Sequence, residues 1–99
     1  MDYRRLGDSG LWVSPLCLGT MMFGGRCDDD TARDIIADAR AAGINFIDTA
    51  DMYNNGKSEE ITGRAVADHR DWWVVATKAG NKMGDEPNRR GLGRRWLMR

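Results

Sequence analysis

Histidine, cysteine and proline are all scarce in this chain of 99 residues, which holds one, two and two of them respectively. His69 stands far from Cys17 and Cys27, and the three cannot build a zinc site at any familiar spacing. Two cysteines without secretory marks argue against a disulfide framework. Purely apolar stretches last only a few residues, so neither a transmembrane helix nor the core of a signal peptide is expected. Net charge is absent too: fifteen basic side chains balance fifteen acidic ones, leaving no global field to gather nucleic acid or an anionic membrane. Metal hydrolase, secreted mini-domain and DNA-binding module are therefore poor fits. What is present, 41% hydrophobic and 30% charged residues, is ordinary for a globular chain and too apolar for disorder. The start, Met1-Asp2-Tyr3-Arg4-Arg5, reads as a mature cytoplasmic N-terminus.

Along the chain, secondary-structure signals alternate. Residues 2–6 and 11–14 are short strand candidates around the turn-rich quartet Gly7-Asp8-Ser9-Gly10, a β-hairpin that Pro15 ends. Leu16 to Thr20 reads as a short buried strand, with Cys17 inside it. Ala32, Ile35, Ile36, Ala39 and Ala42 repeat at helical period, predicting a helix over 31–42 with an N-cap among Asp28, Asp29 and Asp30. The Asp triplet could attract a divalent metal, but capping and the helix dipole explain it better. Gly43 is placed to end that helix in a left-handed conformation. Residues 44–48 form the next strand candidate, 58–67 a second helix with Ile61, Ala65 and Val66 inward, and 72–77 a third strand. A third helix begins near Arg94. Strand, helix, strand, helix, strand is the α/β signature of parallel strands joined by right-handed crossovers. Both a small doubly wound sheet and the opening third of a (β/α)8 barrel fit this order.

Charge is uneven. Residues 82–99 carry Lys82, Arg89, Arg90, Arg94, Arg95 and Arg99 against only Asp85 and Glu86. Such a run reads as a solvated face, with an anion site for a phosphate-bearing ligand as the alternative.

Polar groups fall at or just past three successive strand ends: Thr20, Asp48 and Lys78. α/β folds place ligand chemistry there. Tyr53, five residues past Asp48, can lean back over the strand ends. A buried lysine paired with Asp48 and close to the Tyr53 hydroxyl would favour the phenolate and lower the phenol's pKa from about 10. The product is a general acid suited to a carbonyl under reduction.

The stretch Asn45-Phe46-Ile47-Asp48-Thr49-Ala50-Asp51-Met52-Tyr53, with Gly56-Lys57-Ser58-Glu59-Glu60 and Gly63, resembles the signature of the aldo-keto reductases. Tyr3 to Gly7, Ser9-Gly10-Leu11, Val13-Ser14, Leu18-Gly19-Thr20-Met21 and Phe23-Gly24-Gly25 resemble that family's N-terminal hairpin and first strand, and Ala76-Thr77-Lys78 its third-strand motif. The likeness runs from residue 2 to 99 and is closest to the bacterial branch related to voltage-gated potassium channel β subunits. It implies an α/β fold: the N-terminal part of a (β/α)8 TIM barrel, with a hairpin over residues 1–15 and about three of eight βα units over 16–99. It also implies a cytoplasmic oxidoreductase that uses NADPH to reduce a small-molecule aldehyde or ketone, without metal, nucleic acid or membrane insertion. By matching position Tyr53 would be the general acid, Lys78 would depress its pKa, and Asp48 would hold Lys78. Gly19, Thr20, Met21 and Asp48 would lie against the nicotinamide and its ribose.

Such barrels need roughly 250 residues. The family's catalytic histidine, at the end of the fourth strand, has no counterpart here, and His69 lies at the wrong end to replace it. A 99-residue piece lacking the C-terminal part of the barrel is expected not to turn over alone. Gly93 stands where the family usually has a helix-capping serine. Trp12 takes a usually charged hairpin site, where it marks either a contact surface or a covered hairpin. A non-catalytic regulatory subunit of the channel β type is the alternative. A signalling receiver, which Asp28–Asp30, Asp48 and Lys78 superficially suggest, orders its strands differently and has no hairpin.

Overall fold

A computed structural model describes residues 1–99. The hairpin comes first: β1 (Arg4–Arg5) pairs antiparallel with β2 (Trp12–Val13), Arg4 opposite Val13 and Arg5 opposite Trp12. Gly7 turns the chain with φ +59°. Three further strands, β3 (Leu18–Gly19), β4 (Phe46–Asp48) and β5 (Val74–Ala76), make a parallel sheet in the order β3-β4-β5. Helices α1 (Asp29–Ala41) and α2 (Lys57–Val66) are the crossovers, and a short α3 (Arg94–Leu97) follows.

Local chemistry sets the ends of α1. Asp28 is the N-cap: its carboxylate accepts from the Thr31 amide at 2.8 Å, which holds its pKa below the ordinary aspartate value. At the other end Gly43, with φ +92°, donates to Arg40 O, and Ile44 N donates to Ala39 O at 3.0 Å. That pair of bonds is the Schellman arrangement, which needs a residue free to take positive φ.

One face of the sheet is covered. Ile47, fully buried at the centre of β4, packs with Ala32, Ile36 and Ala39 of α1, Ile61 and Val66 of α2, Phe23 and Trp73. The apolar period predicted the helices, although Ile35 stays exposed at the edge of the stripe and Ala42 is an exposed C-cap just past α1. Strand side chains alternate between faces, so residues 17, 19, 46, 48, 74 and 76 share the side opposite the helices.

Three expectations need correction here. The predicted strand over residues 16–20 is ordered as β only at Leu18–Gly19, with Leu16 60% exposed. Cys17 is exposed rather than buried, because no element of residues 1–99 covers the face that carries it. The third strand is likewise confined to Val74–Ala76. Trp72 instead donates from its indole N–H to Ile44 O and meets the Tyr3 ring edge-on at 6.3 Å.

The hairpin is fastened at the amino-terminal end of the sheet. Asn45, just before β4, accepts from the Ser14 amide at 2.8 Å and donates to Trp12 O at 2.9 Å, while its own amide donates to Ser14 Oγ. Tyr3 Oη donates to Gly43 O at 2.7 Å. The carboxyl-terminal strand ends are left clear for other groups. Trp12 is 57% exposed, its indole 5.9 Å from the Arg5 guanidinium. No helix is long and apolar enough to cross a membrane.

Candidate active site

Strand register brings the polar ends level. Gly19 pairs with Asp48, and Asp48 with Ala76. Backbone bonds then carry the alignment past the strands: Thr20 N to Asp48 O, Thr49 N to Ala76 O, and Asp51 N to Lys78 O. Thr20, Asp48 and Lys78 thus stand at one end of the sheet, as the sequence order predicted.

Lys78 is the hub. Its Nζ lies 2.9 Å from each carboxylate oxygen of Asp48, 2.8 Å from Thr49 O and 3.4 Å from Tyr53 Oη. The ammonium also stands 5.0 Å from the Tyr53 ring centroid. An ammonium has three donors. With the carboxylate taking one as a shared bond and Thr49 O another, the third reaches Tyr53 Oη. The phenol then accepts from Lys78 and keeps its own O–H free for a further acceptor. Hydrogen bonding to Asp48, with a smaller contribution from Tyr53, raises the lysine's pKa and outweighs desolvation. The expectation of a buried lysine fails: the Lys78 side chain is 50% exposed and that of Asp48 40%, because both project from the uncovered sheet face.

Tyr53 opens a short 3-10 turn, Tyr53–Gly56, in which Asn54 and Asn55 both take left-handed backbone angles, φ 49° and 57°. Asparagine tolerates this region better than most residues. The strained Asn54 reaches over to the loop after β3, its amide donating to Met21 O at 2.9 Å and Phe23 O at 2.7 Å. Gly25 lies directly beneath, where a Cβ would come within 2.8 Å of Asn54 Oδ1.

Behind the site runs a buried hydroxyl chain that motif reading missed. Ser58, fully buried in the first turn of α2, donates to Thr20 O at 2.7 Å and lies 2.9 Å from Thr20 Oγ1. Its oxygen also meets Thr49 Oγ1 at 3.2 Å, and Thr20 Oγ1 donates to Asp48 O at 3.1 Å. The carbonyl of this same Thr49 holds Lys78. A serine beside two glutamates in a helix start looks like a surface residue, so only its partners across the sheet reveal the role. Asn54 did carry a signal, in the Asn-Asn-Gly run that suits left-handed backbone.

A cleft of about 250 Å³ joins Gly19, Thr20, Met21 and Met22 to Asp48 and Tyr53. Gly19, Thr20, Met21, Asp48 and Tyr53 therefore line one cleft, and Lys78 joins them through Asp48 and Tyr53. Thr20 differs in its orientation: it is fully buried, with its hydroxyl engaged inward on Ser58 and Asp48. His69 closes a 3-10 turn after α2, at the opposite end.

A parallel βα sheet with an N-terminal hairpin thus carries an Asp-Tyr-Lys cluster at its carboxyl edge. The model of the aldo/keto reductase family matches residues 15–99, and the chain belongs to that family. It is 42% identical over 85 residues to an uncharacterised oxidoreductase of Bacillus subtilis, covering 86% of this chain and 27% of that protein. It is 41% identical over 102 residues to a probable voltage-gated potassium channel subunit beta of Oryza sativa subsp. japonica, covering 99% of this chain and 31% of the relative. An aldo-keto reductase of Bacillus halodurans, solved in its holo form, superposes with a TM-score of 0.77 at 41% identity, over 92% of this chain and 29% of that one. The chain is thus an N-terminal part of a TIM barrel with its hairpin, and it spans about a third of the length of these relatives.

Proposed function

We propose that residues 1–99 carry the nicotinamide-facing part of a cytoplasmic NADPH-dependent reductase that converts aldehydes or ketones to alcohols. The hairpin over 1–15 and the barrel units over 16–99 belong to one domain in this reading. The observation that carries it is the Lys78 ammonium, clamped by Asp48 and within 3.4 Å of the Tyr53 hydroxyl at the strand ends.

The cleft residues fit the nicotinamide end of the cofactor. Gly19 has no side chain and open space in front of it, giving a flat wall. Met21, 57% exposed, offers an apolar surface beside it. Asp48 supplies acceptors for ribose hydroxyls. Gly19, Met21 and Asp48 would hold a nicotinamide dinucleotide there, and the chemistry such a cofactor would supply is hydride donation. Tyr53 donates its proton to the carbonyl oxygen, and the Lys78 ammonium stabilises the phenolate left behind. Asp48 holds Lys78 in its charged form and in place.

Tyr53→Phe, made in the protein expressed from its gene, removes the proton donor and keeps the ring. We expect kcat with a reactive aldehyde to fall at least about a hundredfold while NADPH affinity changes little. A variant that reduces the aldehyde at an undiminished rate sinks the assignment.

The likeness to a channel β subunit over nearly the whole chain favours a second reading, a regulatory subunit. In that reading the intact protein binds NADPH and a membrane-protein partner but transfers no hydride.

A further inference from the structure

The run of arginines near the end of the chain is gathered into a cleft. Its volume is about 500 Å³, and Arg89, Arg95, Arg99 and Trp96 line it with Glu86 at the edge. The Arg89 guanidinium stands 5.7 Å from the Trp96 ring centroid and that of Arg99 4.9 Å. None of the three arginines is ion-paired: the chain's four salt bridges are made by Arg33, Arg64, Lys78 and Lys82.

Arg89 is held. The loop that bears it is closed by Met83 N to Arg89 O at 2.9 Å, Arg89 N to Glu86 O at 3.1 Å and Gly91 N to Gly80 O at 3.1 Å. Its side chain lies across Gly84, where a Cβ would meet Nε at 2.7 Å and Cδ at 2.9 Å. A stem resting on glycine and a guanidinium against indole make a half-buried, oriented donor rather than a freely waving surface charge. Planar guanidiniums match the oxygens of carboxylate and phosphate, and three in one cleft with Glu86 as its one acidic lining residue leave a net positive charge that favours an anion.

Trp96 and Arg99 also line a second cavity, about 220 Å³, with Lys78, Thr77, Asp51 and Glu59. Trp96 and Arg99 are thus common to the arginine cleft and to the cavity that Lys78 lines.

We propose that Arg89, Arg95 and Arg99 around Trp96 bind a small-molecule oxyanion, a carboxylate or a phosphate. Two sources fit this chemistry: a free anion, or an acidic group on the carbonyl substrate whose reactive end lies at Lys78. The second source alone rests on the reductase reading.

Calorimetric titration of the protein expressed from its gene with inorganic pyrophosphate tests the cleft without any turnover. Saturable binding is expected. It should weaken at least about tenfold in the double variant Arg89→Gln/Arg99→Gln, the loss of two charge-assisted hydrogen-bonding groups. Gly84→Ala keeps every charge but displaces the Arg89 side chain, and should weaken binding too. Glu86→Gln should strengthen it, and Arg5→Gln, on the hairpin, should leave it unchanged. No saturable heat, or equal binding by the double variant and the parent, overturns the proposal. Reduction of 4-carboxybenzaldehyde is then compared with reduction of benzaldehyde. A loss of kcat/KM in Arg99→Gln confined to the acidic aldehyde assigns the anion to the substrate, and equal effects on both assign it to a free ligand. Pyrophosphate binding without reduction of either aldehyde upholds the cleft and counts against the reductase reading.

Discussion

Lys78 meets three different oxygen partners, and its charge state governs the whole cluster. Its pKa is raised chiefly by the bond to Asp48. A lysine whose folded pKa exceeds its unfolded value, about 10.4, adds stability that is complete below that value. The contribution is lost as pH climbs through the raised folded value. The lysine's contribution should therefore hold across neutral pH and be lost in strongly alkaline solution. Titration of the Lys78 Nζ resonance checks this, and Asp48→Asn should move its midpoint downward. Ser58 is the second decisive residue. Ser58→Ala would leave Thr20 O and two threonine hydroxyls short of a partner in a dry interior. A loss of about 1–3 kcal/mol is expected in urea unfolding. Asp48, Tyr53 and Lys78 were legible in the sequence because each follows a recognisable strand. The role of Ser58 was not, and Asn54 showed only its backbone preference, since their partners on the loop after β3 lie 38 and 31–33 residues away.

Elements were readable in proportion to their local information. Helix α1 has a capping aspartate, an apolar period and a terminal glycine, and all three agree with the structure. Gly43→Ala forces a Cβ into φ +92° at the Schellman turn, where Tyr3 Oη already lies 3.4 Å away. It should destabilise the chain by about 1 kcal/mol or more, seen as a lower urea midpoint with unchanged m-value. Strands were overestimated in length. Residues 16–20 and 72–77 are apolar enough for strands, but β3 and β5 each have a partner, β4, on one side only, and β4 itself is ordered over Phe46–Asp48 alone. The hairpin was recognised from its turn, yet its attachment through Asn45 to the sheet's amino-terminal end is a long-range event.

At the scale of the molecule the chain is a slab, 44 × 35 × 19 Å, with a radius of gyration of 14.5 Å. A compact chain of this length has a radius near 13 Å. Only 16 of the 99 residues are buried, and Leu16, Met21, Met22, Leu92 and Met98 are among the large apolar side chains left exposed. One uncovered face and open parallel edges invite self-association. The 99-residue polypeptide, prepared alone, should elute from a sizing column in a concentration-dependent way. It should also fail to oxidise NADPH with a reactive aldehyde, since water reaches the half-exposed Lys78–Asp48 pair. A monodisperse, active preparation would refute both expectations.

By itself the sequence determined what short-range forces decide: the order of strands and helices, an aspartate cap and a terminal glycine for α1, and the three chemical groups at successive strand ends. It also determined the family, because the spacing from Asn45 through Gly63 is distinctive. The tertiary structure alone decided which face of the sheet is covered, that Cys17 and Lys78 are exposed, and that Ser58 ties two strand ends together. It also gathered Arg89, Arg95 and Arg99 around one tryptophan. The physical reason is range. Capping and periodicity act over a few residues, whereas burial and charge pairing depend on whatever the fold brings close.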